Sequence, residues 1–119
     1  MSKRSSILLF VGDRPVLSSL EFALALDGFD VADGTAEEGE ISSACCLVVD
    51  QGYRGNGATF LAELRQRGCG VPAVLLVTNP TAAVRARAAA VGAVVIEKPL
   101  LGDELTHALR DALDHCEAA

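Results

Sequence analysis

Five short apolar runs punctuate the chain, at residues 7–11, 29–32, 45–49, 73–77 and 94–96. Each is a few residues long and almost free of polar positions, the pattern of strands buried on both faces of a sheet. Between them, apolar residues recur every three or four positions. Pro15 suits the first turn of a helix, Leu17, Leu20 and Leu24 follow at helical spacing, and Gly28 suits the left-handed residue beyond its end. Residues 58–67 predict a second clear helix with Phe60, Leu61 and Leu64 inward, stopped by Gly68 and Gly70. The Ala-rich run 81–91 predicts another, with Asn79 as its N-cap, Pro80 as its first residue and Gly92 at its end. A last helix is expected over residues 102–115, with Leu105, Leu109 and Leu113 on one face. Residues 33–41, acidic and broken by Gly34 and Gly39, predict only a poor helix.

Strict alternation of strand and helix implies a parallel sheet covered on both faces. The expected architecture is a doubly wound α/β fold with a five-stranded parallel sheet in the order 2-1-3-4-5, five helices and a single domain over residues 1–119. The residues that end the runs carry the chemistry. Asp13 follows the first run, Asp50 the third, Thr78 the fourth and Lys98 the fifth. In a parallel sheet all four meet at the carboxyl edge, where open α/β sheets bind ligands. Two carboxylates, a hydroxyl and an ammonium together suit a divalent cation and a phosphoryl group.

Composition narrows this further. Half of the 119 residues are hydrophobic, enough for a core without metal or disulfide support. The net charge of −6 and ten dispersed basic residues argue against direct binding of nucleic acid, and the absence of Trp argues against a base-stacking platform. No apolar run approaches the roughly 20 residues of a membrane span, and the N-terminus lacks a signal-peptide core, so a cytoplasmic location is expected. Cys45, Cys46, Cys69 and Cys116 lack metal-ligand spacing and are read as reduced, largely buried small hydrophobes. His107 and His115 have no ligand partners at suitable spacing. The glycines of the loop 51–57 follow the order G-x-x-G-x-G, which is no dinucleotide fingerprint, and no P-loop is present.

Element order, strand-end residues and their spacing resemble the receiver domain of two-component response regulators, over residues 7–116. The wording of residues 20–31, LEFALALDGFDV, is most similar to the nitrogen-fixation regulator branch. The resemblance implies that Asp50 accepts a phosphoryl group from a sensor histidine kinase or a histidine phosphotransfer protein. It implies Mg²⁺ on Asp13, Asp50 and the backbone carbonyl of Gly52, with Thr78 and Lys98 holding phosphoryl oxygens. Lys98-Pro99 matches a dipeptide that in the family usually contains a cis bond aiming the lysine inward. Signalling, and a possible homodimer, would use the face built from helix 4, strand 5 and helix 5 of the expected set. Such a domain assists its own modification and is not an enzyme.

Several residues depart from the family pattern. Gly12 stands where receivers usually carry a second acid, which implies weaker Mg²⁺ binding. The loop after Asp50 is one residue shorter than usual and has Arg54 near the place of a proline. Val95 replaces a switching aromatic, and Asn79 crowds the approach to Asp50. These departures favour an alternative, a pseudo-receiver that acts as an interaction module without phosphorylation; Asp13, Asp50, Thr78 and Lys98 oppose it. A small aspartyl phosphatase is disfavoured, because the position two residues after Asp50 is Gly52 rather than an acid.

Overall fold

The computed structural model describes residues 6–34, 41, 44–98 and 104–118, with side chains from Ile7 to Asp114 within that set. Five strands, β1 (Ser6–Phe10), β2 (Asp30–Asp33), β3 (Cys46–Asp50), β4 (Ala73–Thr78) and β5 (Ala93–Lys98), form one sheet in the order β2-β1-β3-β4-β5. All four pairings are parallel. Four helices are described: α1 (Arg14–Leu26), α2 (Gly57–Gln66), α3 (Ala82–Ala90) and α4 (Glu104–Ala118). The weak helix expected over 33–41 lies outside the described residues except at its ends, so the fourth and fifth expected helices are α3 and α4.

Alternation along the strands splits the core in two. Leu8, Phe10, Leu47, Val49, Leu75 and Val77 face one side and pack against Phe60, Leu61 and Leu64 of α2 and Ala88 of α3. Ile7, Leu9, Val48, Val74 and Leu76 face the other, against Leu17, Leu20 and Leu24 of α1 and Leu105 and Leu109 of α4. The leucine triad of α1 and the apolar trio of α2 are thus buried as their spacing requires. In α4 the third buried position is Ala112 rather than Leu113, which is half-buried.

Two expectations are corrected. Asn79 does not cap α3: its backbone is left-handed at φ 53, and Thr81 is the N-cap, its Oγ1 accepting from Val84 N at 3.2 Å. A residue preceding proline is disfavoured in the helical region, and Asn is among the few side chains that tolerate the left-handed one. The cysteines are not all reduced either. Cys45 is disulfide-bonded, while Cys46 and Cys69 are free. Opposite strand faces exclude a bridge between adjacent cysteines and say nothing about more distant partners.

Burial pushes the Cys46 thiol up to about 12, its contact with the Leu47 carbonyl opposing this only in part. Because the thiolate is the nucleophile, iodoacetamide at pH 8 is expected to alkylate the half-buried Cys69 and spare Cys46 in the native protein. Denaturant should abolish the difference, as read by peptide mass mapping.

Candidate functional site at the carboxyl edge of the sheet

The sheet reverses its winding between β1 and β3, with α1 on one face and α2 on the other, and the crevice there is the site. Register brings the strand ends level: Phe10 pairs with Val49, Asp50 with Leu76, Leu76 with Ile96 and Thr78 with Lys98. Asp50 is the last residue of β3 and the first of that strand not fully buried.

Lys98 reaches across the end of β4 to Asp50. Its Nζ lies 2.7 Å from Asp50 Oδ1, with the two side chains 31% and 18% exposed. Its stem shares an apolar cleft with Leu76 and, on α1, Pro15, Val16, Leu20 and Ala23. Asp50 Oδ2 accepts from the backbone N–H of Gly52 at 2.8 Å. Both carboxylate oxygens are therefore oriented, one by a cation and one by the loop, while the group remains reachable from solvent. Pro99 lies outside the described residues; the inward aim of Lys98 is observed directly.

Asp13 stands at the same edge as the N-cap of α1, its Oδ1 accepting from Val16 N at 3.3 Å. One oxygen serves the helix and the exposed carboxylate keeps a second. Thr78 ends β4 exposed at the rim beside Lys98. The Gly52 carbonyl accepts from Gly55 N at 3.0 Å, closing the turn that presents the Gly52 N–H to Asp50. Of the four strand-end residues, geometry thus joins Asp50 and Lys98 in direct contact and sets Asp13 and Thr78 around them.

The loop after Asp50 is held by features that the sequence did not reveal. Tyr53, the only tyrosine of the chain, is buried in a one-turn 3-10 helix and packs on Phe10 and Phe60, ring centres 5.5 and 5.0 Å away. Arg54 adopts φ 52 with its guanidinium over both Tyr53 and Phe60. Gly57 N donates to Gln51 O at 2.7 Å, and a Cβ at Gly57 would collide with the Asp50 backbone carbonyl. Only glycine lets α2 start so close to the acceptor strand. A lone tyrosine among loop glycines is the sequence signal for this anchor.

As to a cation, the described residues hold no group of three or more His, Cys, Asp or Glu placed to bind one. The available donors are Asp13, Asp50 and backbone carbonyls, and among the described residues no atom beyond its chain neighbours lies within 4 Å of where a Gly12 side chain would begin. One or two carboxylates supplemented by water and phosphoryl oxygens are the usual Mg²⁺ arrangement, so the donors present are of the kind that would hold Mg²⁺.

No family model matches the chain, and no curated protein matches it. Solved structures do. The chain is similar to FixJ-N (23% identity, 92% of this chain and 94% of that one, TM-score 0.78). It is similar to a CheY-like response regulator receiver domain protein from Methanospirillum hungatei JF-1 (18%, 96% and 97%, TM-score 0.80). It is also similar to the beryllofluoride-activated NtrC4 receiver domain dimer (18%, 94% and 98%, TM-score 0.77). The fold is the response-regulator receiver fold.

Within this receiver fold, Asp13 can be separated into a capping and a charged role. Asp13→Ala should lower stability by about 1 kcal/mol through loss of the cap, and Asp13→Asn by far less, since Asn caps equally well. Gly57→Ala should cost about 1–3 kcal/mol through overpacking. Urea unfolding followed by far-ultraviolet circular dichroism checks all three.

Proposed function

We propose that this chain is a phosphoacceptor domain of a two-component relay, with Asp50 as the acceptor. The observation that carries the reading is the Lys98–Asp50 contact of 2.7 Å at the carboxyl edge of a receiver fold. A carboxylate fixed at a strand end, with one oxygen on an ammonium and the other on a backbone N–H, is aimed without being sealed off. Its donor would be a phosphohistidine on a kinase or phosphotransfer protein.

In the transfer, an Asp50 oxygen forms a bond to phosphorus while the phosphorus–nitrogen bond to the donor imidazole breaks. The electron pair stays on that imidazole nitrogen, which takes up a proton. Bound Mg²⁺ would supply neutralisation of charge on the phosphoryl oxygens, held by Asp13, Asp50 and the Gly52 carbonyl. Lys98 would exchange its carboxylate oxygen for a phosphoryl oxygen, and Thr78 would donate its hydroxyl from the rim of β4. The product carries added negative charge at the ends of β3, β4 and β5, which biases the packing of α3 and β5. That face, with α4, is where a partner or a second copy would read the state. The domain turns over no external substrate.

The second reading is a receiver fold serving as an interaction module without phosphorylation, and two observations favour it. Both oxygens of Asp50 already have partners, and the place of a second acid at residue 12 is empty space.

Incubation with acetyl phosphate and Mg²⁺ separates the two. A phosphate-sized mass increase on the wild type, absent from Asp50→Asn, is expected; no increase even with a matched kinase would favour the second reading. Gly12→Asp should tighten Mg²⁺ binding and Asp13→Asn should weaken it, each by roughly tenfold or less, in calorimetric titration.

A further inference from the structure

Among the described helices, α3 buries the fewest residues. Of its nine residues only Ala88 is buried, against three leucines in α1 and five residues in α2. An element with so little apolar contact opens at low free energy unless something else holds it. Its two ends are held very differently.

At the C-terminal end, Arg65 of α2 lies beneath the turn that leads from α3 into β5. Its Nε donates to the Val91 carbonyl at 2.8 Å, and its Nη1 donates to the carbonyls of Cys69 at 3.0 Å and Val71 at 2.8 Å. Val91 is the C-cap of α3, so one half-buried guanidinium ties the end of α3 to the end of α2 and the start of β4. A cation beside the carbonyl end of a helix is favourable, and hydrogen bonds from a charged donor are stronger than neutral ones. A second tie from the same half, Arg87 Nη2 to Thr59 Oγ1 at 3.1 Å, is exposed.

At the N-terminal end the half-buried Val84 packs on the core, and among the described residues no side chain of another element hydrogen-bonds to that end. Among the described residues, the side-chain and turn hydrogen bonds of residues 79–86 stay within the segment: Val84 N to Thr81 Oγ1 and Arg85 N to Thr81 O. Asn79, in the left-handed region, joins this end directly to Thr78 at the site.

We propose that Arg65 is a pin that fixes the C-terminal end of α3. Rearrangement at the site is then converted into a swing of the N-terminal end rather than a shift of the whole helix. Arg65 is a positioning residue, and it determines which part of the α3–β5 surface changes when the site is occupied. The swing rests on the phosphoacceptor reading; the pin itself does not.

Amide hydrogen exchange, read by mass spectrometry on the full chain, tests both parts. In the resting protein, Arg65→Met should speed exchange at residues 88–92 roughly tenfold or more, as expected for loss of charged hydrogen bonds. Arg87→Met should change it less than about threefold, its bond being exposed. Arg65→Lys, which keeps the charge and some of the bonds, should fall between. Unchanged exchange at 88–92 in Arg65→Met would overturn the pin, and so would global loss of protection in Arg65→Met with no local effect in Arg65→Lys. With beryllofluoride and Mg²⁺, the wild type should change exchange at 79–86 and leave 88–92 unaltered, whereas Arg65→Lys should extend the change through 92. A purely structural arginine would leave that response pattern the same in both. A wild type that ignores beryllofluoride would refute the swing and the phosphoacceptor reading, with the resting exchange still deciding the pin.

Discussion

Parallel register is the constraint on which everything at the site depends. Lys98 and Asp50 belong to strands separated by β4, a distance of roughly 10 Å at ordinary strand spacing. An ammonium covers that distance only if its strand runs slightly past the acceptor strand and the intervening strand offers an apolar ledge. Asp50 is level with Leu76 and Ile96, two residues before Lys98, and Leu76 and Lys98 line the same apolar cleft. A slip of one residue in β5 would turn Lys98 to the opposite face of the sheet. The six-residue ladder between β4 and β5 therefore does chemical as well as structural service.

Around that contact, backbone groups carry as much of the geometry as side chains do. Gly52 N–H orients the second oxygen of Asp50, the Gly52 carbonyl closes the turn, and Gly57 lets α2 begin against the acceptor strand. Tyr53 fastens the loop to the core between Phe10 and Phe60. A shortened, proline-free loop can still hold a carboxylate firmly, because an aromatic anchor replaces the rigidity that a proline would supply.

Strands, sheet order and the faces of α1 and α2 were legible in the sequence, because burial on two faces writes itself as uninterrupted apolar runs and helical periodicity. The meeting of Asp50 and Lys98 at one edge followed from topology alone. What escaped were features with no periodicity. The start of α3 depends on whether Asn79 or Thr81 faces the first free N–H groups, and the two residues look equally suitable as caps in sequence. The bond at Cys45 requires a partner distant in the chain. Arg65 resembles any surface arginine of an amphipathic helix until folding gathers the carbonyls of residues 69, 71 and 91 around it. At Asp13, where the resemblance implies a metal ligand, the structure shows a capping bond.

The two outer strands differ from the central ones in a way that bears on self-association. β2 begins and ends with aspartate, and β5 closes with Glu97 and Lys98. Lengthening the sheet by abutting two molecules rim to rim would bring charged residues into the seam, with like charges opposed in a symmetric β2–β2 contact. Such borders discourage continuous intermolecular ladders. Contact between copies of this protein by extension of the sheet is disfavoured for that reason.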